Sequence, residues 1–424
     1  MKILLLAYHV SPYRGSECSV AWNHITQMSD NHKVTVLYGS SGEHMGDNDD
    51  LNKFHMNDKL ENVEWHFVPP TSFVSILNIL NRNGYFTYSF YLAYKLWHKS
   101  VLTYCNKELD LSSFDVVHYL NPIGYREPGY LWKLDKPYVW GPIGGANSLD
   151  LRLLPALSFS GKLKLLTRKC VNWFQLRYSL RLRDALESTN LLLTATTENR
   201  DLFKDVHQAD SSYIPENGTL GNYVGVDFQK KTHDVINIIW IGRIDSRKAL
   251  SILIDAFKHV QCKSLFKVHV VGKGPLENTM KSYSHDIGLD SVFVWHGHLT
   301  RTAVIDKLRG SDLHVITSVS EANTTVIWEA IQCGVPTLSL NHCGMRDVIK
   351  NSTGIRIDIS SYADVVREIG NKLNEIGNNP SLLSEYSAGI EESFHEHHWR
   401  NRIGFFENAY KTAIRDWREK NVIK

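Results

Sequence analysis

The chain has 424 residues, 43% of them hydrophobic and 22% charged, with a formal net charge of +2. That length exceeds what one ordinary core needs and implies two domains, the composition excludes a disordered chain, and the near-neutral charge gives no electrostatic case for nucleic acid as a partner. Six cysteines without any CxxC pair argue against a zinc site or a disulfide framework and suit a reducing compartment.

The opening MKILLLAY is too short for a signal peptide and reads as a first buried strand. No apolar run approaches the ~18 residues that a membrane span needs. These two features point to a soluble or surface-attached intracellular protein. Short apolar runs then alternate with amphipathic stretches, the pattern of βα units and parallel sheets. In the first half, strands are expected at 3–8, 33–38, 63–68, 115–120, 137–141, 190–195 and 212–215, with helices at 18–28, 88–107 and 162–188. Residues 219–234 lack periodicity and read as a linker. A second series follows, with strands at 235–241, 267–271, 292–295, 313–317, 337–340 and 354–357. Helices are expected between them at 249–259, 276–286, 301–309 and 324–333, and two long helical patterns, 361–376 and 398–420, close the chain. Two doubly wound α/β domains would hold a ligand beyond the carboxyl ends of their strands.

Residues 320–336 read SEANTTVIWEAIQCGVP. A strand ends just before this stretch, and a helix starts near Asn323 or Thr324 and stops at Gly334. Its free amides form an anion site suited to phosphate. Glu321 precedes the helix and Glu329 lies inside it, so carboxylates stand where the hydroxyls flanking a phosphate would bind. Two solvated or capping glutamates would give the same spacing. Residues 238–257 read IIWIGRIDSRKALSILIDAF: a buried strand, a tight exit at Gly242, then Arg243 and Lys248 before the next helix. An arginine fork and a lysine point charge suit a diphosphate, although ordinary surface cations paired with Asp245 fit the same residues. Residues 267–275, KVHVVGKGP, end a strand in a glycine-bracketed turn at Gly272 that lets backbone approach a nucleotide or simply turns the chain. The cluster FHEHHW at 394–399 reads as a surface turn before the last helix rather than a metal site.

Taken in order, GR…K, VVGKGP and E-x7-E, followed by HCGMRDVI at 342–349, resemble the retaining GT-B glycosyltransferases of glycosyltransferase family 4. The resemblance covers nearly the whole chain and is densest from 214 to 357. It implies a GT-B fold, two Rossmann-like domains facing a central cleft, with the last helix crossing back to the first. The implied domains are 1–220 for the acceptor, 235–395 for the nucleotide-sugar, and 396–424 for the returning helix. It implies that Arg243 and Lys248 hold the donor diphosphate, that Glu329 holds ribose hydroxyls, and that Glu321 contacts the donor sugar with Asn323, Thr324 and Thr325 close by. Gly242 and Gly272 fall among the donor-binding residues. In the first domain, YRGSE at 13–17 resembles the loop after strand one, with Gly15 near donor and acceptor. His118 in DVVHYL matches a histidine beside the reacting sugar, and ENG at 216–218 matches the turn before the interdomain link. Three positions depart from the usual pattern: Gly15 is followed by Ser16, Ala322–Thr324 lacks glycine or proline, and Gly344 is followed by Met345-Arg346-Asp347.

The implied chemistry is transfer of a sugar from a nucleotide-sugar to a saccharide or lipid-linked acceptor with retention, in bacterial-type surface polysaccharide synthesis. No cofactor and no metal is implied; the cations stabilise the leaving diphosphate, and no DxD-like motif stands at a strand end. A nucleotide-sugar epimerase or hydrolase of the same fold is the enzymatic alternative, and an inactive binding subunit is the other. Residues 151–183 carry eight Lys/Arg and no acid, with Leu153, Leu154, Leu157, Phe159, Trp173, Phe174 and Tyr178 among them, and 73–97 is rich in aromatics. Such segments suit peripheral attachment to an anionic membrane on its cytoplasmic side, and a solvated helix face fits them as well.

Overall fold

The computed structural model describes residues 1–83, 85–86, 89–147, 149–225, 235–322 and 324–422. The chain divides into two compact units. The first comprises Met1–Ala146, Trp173–Asn217 and Trp399–Lys424; the second comprises Asn147–Asn172 and Gly218–His398.

Seven strands build the first unit: β1 (Lys2–Ala7), β2 (Lys33–Tyr38), β3 (Val63–Phe67), β4 (Val116–Asn121), β5 (Tyr138–Ile143), β6 (Leu191–Thr194) and β7 (Ser211–Tyr213). They lie in the order β3-β2-β1-β4-β5-β6-β7, and every adjacent pair is parallel. Six strands build the second unit: β8 (Ile236–Ile241), β9 (Phe266–Val271), β10 (Phe293–Gly297), β11 (Leu313–Ile316), β12 (Thr337–Leu340) and β13 (Gly354–Ile357). Their order is β10-β9-β8-β11-β12-β13, again all parallel. Each expected strand is found within a residue or two of its expected ends. Strands covered on both faces must be apolar along their whole length, and Leu4, Leu5, Leu6, Ile238 and Ile239 are fully buried. Both sheets reverse direction of growth next to their first strand, between β1 and β4 and between β8 and β11. In a doubly wound sheet that switch point is where two loops diverge and leave room for a ligand.

The last helix, Trp399–Val422, belongs to the first unit. Phe406, Tyr410 and Ala413 pack with Ile3, Leu5 and Ile25 on one face of the seven-stranded sheet. The turn at 216–218 is held by the same helix. Trp399 Nε1 donates to Asn217 Oδ1 at 3.1 Å, and the buried Arg402 guanidinium donates to the Asn217 carbonyl at 3.0 Å.

Several segments differ from expectation, and the helices Asp49–Asn57, Ser72–Arg82, Thr197–His207 and Ser381–Ser393 stand where none was expected. The helix expected over 162–188 is two helices, Phe159–Tyr178 and Leu180–Ser188, because the Ser179 hydroxyl accepts from Leu182 N at 3.3 Å and restarts the backbone. Residues 147–172, expected in the first domain, group with the second unit. Leu149, Leu153, Leu157 and Leu165 are buried in that unit's core beside Ile252, Leu253 and Leu373. Leu153 and Leu157 are therefore core residues and not part of a membrane-facing stripe.

Candidate active site

The second unit's switch point collects most of the residues singled out by sequence. Leaving β8, Gly242 N donates to Val271 O at 3.0 Å, and the loop folds back on itself through Asp245, whose Oδ1 accepts from the backbone of both Arg247 and Lys248 at 3.0 Å. Such a side-chain turn is the usual work of aspartate after a strand. Ala249 takes the left-handed conformation, φ 46°, before the helix Leu250–Ala256 begins. The exit loop of β11 is stitched to this turn. The Thr317 hydroxyl donates to Lys248 O at 2.8 Å and accepts from Trp240 Nε1 at 3.0 Å, and Val319 N donates to Arg247 O at 2.9 Å.

The result is a compact charge cluster. Lys248 Nζ and Arg247 Nη1 both lie 2.6 Å from Glu321 Oε2. The Lys248 and Glu321 side chains are only 12% and 14% exposed, so the lysine is held on the carboxylate with little solvent between them. Arg247 also reaches Ser320 O at 3.4 Å. Sequence reasoning missed Arg247; its place directly before Lys248 in a loop that must turn tightly was the available signal.

Arg243 stands apart from this cluster. Its side chain is 71% exposed and its Nε is 3.8 Å from Asp245 Oδ2, a loose surface contact. The helix Thr325–Gln332 starts as expected, with Thr324 at its N-cap in extended conformation and no side-chain cap bond. Asn323 lies outside the described residues. Glu329 is buried within this helix, and Arg301 Nε pairs with it at 3.2 Å. Burial raises its carboxyl above the ordinary value of 4.5, and Arg301 opposes that shift. Gly334, φ 70°, ends the helix. The short helix Cys343–Val348, which follows β12, comes up beside the exit loop of β11, where Gly344 N lies 3.5 Å from Glu321 O.

The glycines have different explanations. At Gly272, φ 134°, a Cβ would lie 1.9 Å from Gly242 O. Only glycine fits there, because the neighbouring loop's backbone runs across it. At Gly242 a Cβ would be in ordinary contact, 3.5 Å from Lys248 Cδ. In the first unit, Gly15 has nothing within 4 Å of such a Cβ, and the positive φ of 55° falls on Ser16 instead. Its loop is tied down by Arg14 Nε and the Ser11 hydroxyl, at 2.7 Å and 2.6 Å from Asp50 Oδ2.

His118 is not at a site. It is fully buried on β4. Its Nε2–H donates to Gly141 O at 2.6 Å, which leaves Nδ1 to accept the Tyr410 hydroxyl at 2.8 Å. Both nitrogens are taken by the protein, and burial lowers the ring to about 4, so it is a neutral core histidine. The expectation that it meets a sugar fails for lack of a lone pair or proton to offer.

Residues 227–387, within the second unit, match the family Glycosyl transferases group 1. The match covers 161 of the 424 residues, so the likeness to that family is one of this segment of the second unit. An uncharacterized glycosyltransferase of Methanocaldococcus jannaschii is 21% identical over 178 residues, covering 42% of this chain and 45% of the relative. The putative teichuronic acid biosynthesis glycosyltransferase TuaC of Bacillus subtilis is 24% identical over 172 residues, covering 39% and 42%. The chain thus spans less than half the length of these curated relatives. Among solved structures, Anabaena HepE in complex with UDP and glucose superposes with a TM-score of 0.59 at 14% identity, over 95% of this chain and 97% of that one. At that identity the likeness concerns the fold alone, the GT-B fold of two Rossmann-like domains.

Proposed function

We propose that the protein moves a sugar from a nucleoside diphosphate sugar to a saccharide acceptor with retention of anomeric configuration. The observation that carries this reading is the pair of cations, Arg247 and Lys248, gathered on Glu321 at the switch point of the second sheet. In this reading Lys248 and Arg243 hold the diphosphate, and the helix beginning at Thr325 adds the positive end of its dipole. Glu329 accepts from ribose hydroxyls, Glu321 contacts the donor sugar, and Asn323, Thr324 and Thr325 lie beside it. As the bond from the anomeric carbon to phosphate oxygen breaks, negative charge grows on the diphosphate and the fixed cations stabilise it. The acceptor hydroxyl oxygen bonds to that carbon on the same face, and its proton leaves with the diphosphate. These side chains supply the positive charge that a divalent ion supplies elsewhere, so transfer runs without added metal. The Gly15 loop of the first unit is the proposed acceptor side.

UDP in the HepE structure supports a UDP-sugar as the first donor to try, and the name of TuaC supports a bacterial surface glycan, free or lipid-linked, as acceptor. The proposed setting is the cytoplasmic face of an anionic membrane. Thermal-shift screening against nucleoside diphosphates and their sugars tests the donor assignment, because a bound ligand raises the melting temperature by mass action. UDP is expected to raise it, Glu329→Ala to weaken that binding, and Arg243→Ala to lower kcat about a hundredfold or more, as loss of a preorganised donor does. Wild-type turnover in both variants, or release of UDP at full rate without acceptor, would overturn the proposal.

A further inference from the structure

We infer that the helical hairpin of the first unit, the helices Ser72–Arg82 and Ser89–Glu108, is a docking surface for an anionic lipid bilayer. The two helices pack against each other. The first is amphipathic in the unusual sense. Val74 and Asn78 are its buried positions, while Ile79 and Leu80 are exposed and Phe73 and Ile76 are 62% and 61% exposed. A soluble helix turns its polar side outward; here the outer side is apolar. Tyr85, at 81% exposure, and the exposed Phe86, Tyr91 and Leu92 extend the patch into the connection and the second helix. Contiguous exposed apolar surface of this kind marks an interaction site.

Charge identifies the partner. From Trp65 to Lys107 the chain holds Arg82, Lys95, Lys99 and Lys107 and neither aspartate nor glutamate. The patch continues sideways within the same unit. Glu127 pairs with Arg181 and also feels Lys95, which puts the start of the helix Leu180–Ser188 beside the hairpin. There Phe174, Tyr178 and Leu180 are exposed, and Arg177 lies 4.9 Å over the Trp173 ring. Aromatic and aliphatic side chains flanked by cations, with the intervening Glu127 buried against Arg181, fit the boundary of an anionic bilayer, where rings sit at headgroup level and lysines reach the phosphates. No described helix is long and apolar enough to cross a membrane, so the hairpin would lie in the interface plane.

The proposed function bears on this inference only as the reason a membrane is nearby, and the test involves no sugar transfer. The full chain is floated with vesicles of phosphatidylcholine alone and of phosphatidylcholine with phosphatidylglycerol, and size-exclusion chromatography is run in parallel. Flotation is expected only with phosphatidylglycerol. The double variant Lys95→Gln/Lys99→Gln should weaken it at least tenfold, since each cation near such a surface contributes about a factor of five. Phe73→Ser/Ile76→Ser should abolish it while leaving the melting temperature and UDP binding unchanged. Equal flotation with neutral vesicles, indifference to both variants, or a dimer that the Phe73→Ser/Ile76→Ser variant converts to monomer without any vesicle binding would overturn the inference; the last would make the face a contact between copies. Vesicle binding without UDP binding would sink the proposed function and leave this inference standing; UDP binding without vesicle binding would do the reverse.

Discussion

Replacing Glu321 by glutamine keeps the side chain's shape and removes its charge. In the folded protein that carboxylate oxygen holds two cations, Lys248 and Arg247, each at 2.6 Å. At that separation one such pair has about 6 kcal/mol of Coulomb attraction at an effective dielectric constant of ~20, much of it offset by desolvation. Breaking a fully buried pair costs about 3–5 kcal/mol because a charge is left without its partner. Arg247 is a third exposed and water screens part of its loss, so the expected cost is about 2–3 kcal/mol. For a unit of this size, about 2–4 °C per kcal/mol places the fall in melting temperature at roughly 5–10 °C. Binding should move the other way. With the carboxylate gone, two uncompensated cations remain at the proposed diphosphate position, and UDP affinity should rise about three- to tenfold (about 1 kcal/mol). Calorimetric titration of UDP into both proteins, with melting curves alongside, measures the two effects. An unchanged melting temperature together with weaker UDP binding would refute the reasoning, since it would mean that Glu321 neither balances those cations nor competes with phosphate for them.

The Glu329 carboxyl, raised by burial, favours its protonated form in the fold. The stability it contributes is therefore present at low pH and lost as pH rises through its folded value. Binding of ribose hydroxyls needs the carboxylate, so UDP affinity should increase as pH rises through that value, and Glu329→Gln should flatten this dependence in titrations across mildly acidic pH. His118→Phe should leave kcat within about twofold and lower stability by about 2–4 kcal/mol, because the Tyr410 hydroxyl and the Gly141 carbonyl lose their buried partner. The His118 ring, lowered to about 4 from 6.5, costs the wild type stability as pH falls between those values, and chemical denaturation should show that loss missing from the variant. A kcat drop in His118→Phe beyond a hundredfold would return the residue to the site.

The strands of both units were legible because strands buried on both faces are continuous apolar runs with few competing interpretations. The helix starting at Thr325 was legible for the same reason, from its apolar register and from Gly334 at its end. His118 was misjudged although the pattern held the answer. Side chains alternate along a strand, so His118 shares a face with Val116 and Leu120, both buried beneath the last helix. Residues 147–172 were misassigned because their leucines report burial without naming the core that buries them. Gly272 was left open between ligand approach and a tight turn, and its neighbour in the structure is the backbone of Gly242. Arg301, the partner of Glu329, comes from a different helix, and pairing between remote segments leaves no local mark in a single sequence.

Neither unit is made of consecutive residues. On the ribosome, the seven-stranded sheet can form once Asn217 has emerged, but the helix that covers one of its faces begins at Trp399. At ~5–20 residues per second, the intervening stretch takes about ten to forty seconds to synthesise. Throughout that interval Ile3, Leu5 and Ile25 lack their cover and are open to chaperones or to neighbouring nascent chains. Loss of residues 399–422 would leave that hydrophobic face bare permanently, so a nonsense codon at or just before Trp399 should yield an aggregating product rather than a slightly shortened, soluble one.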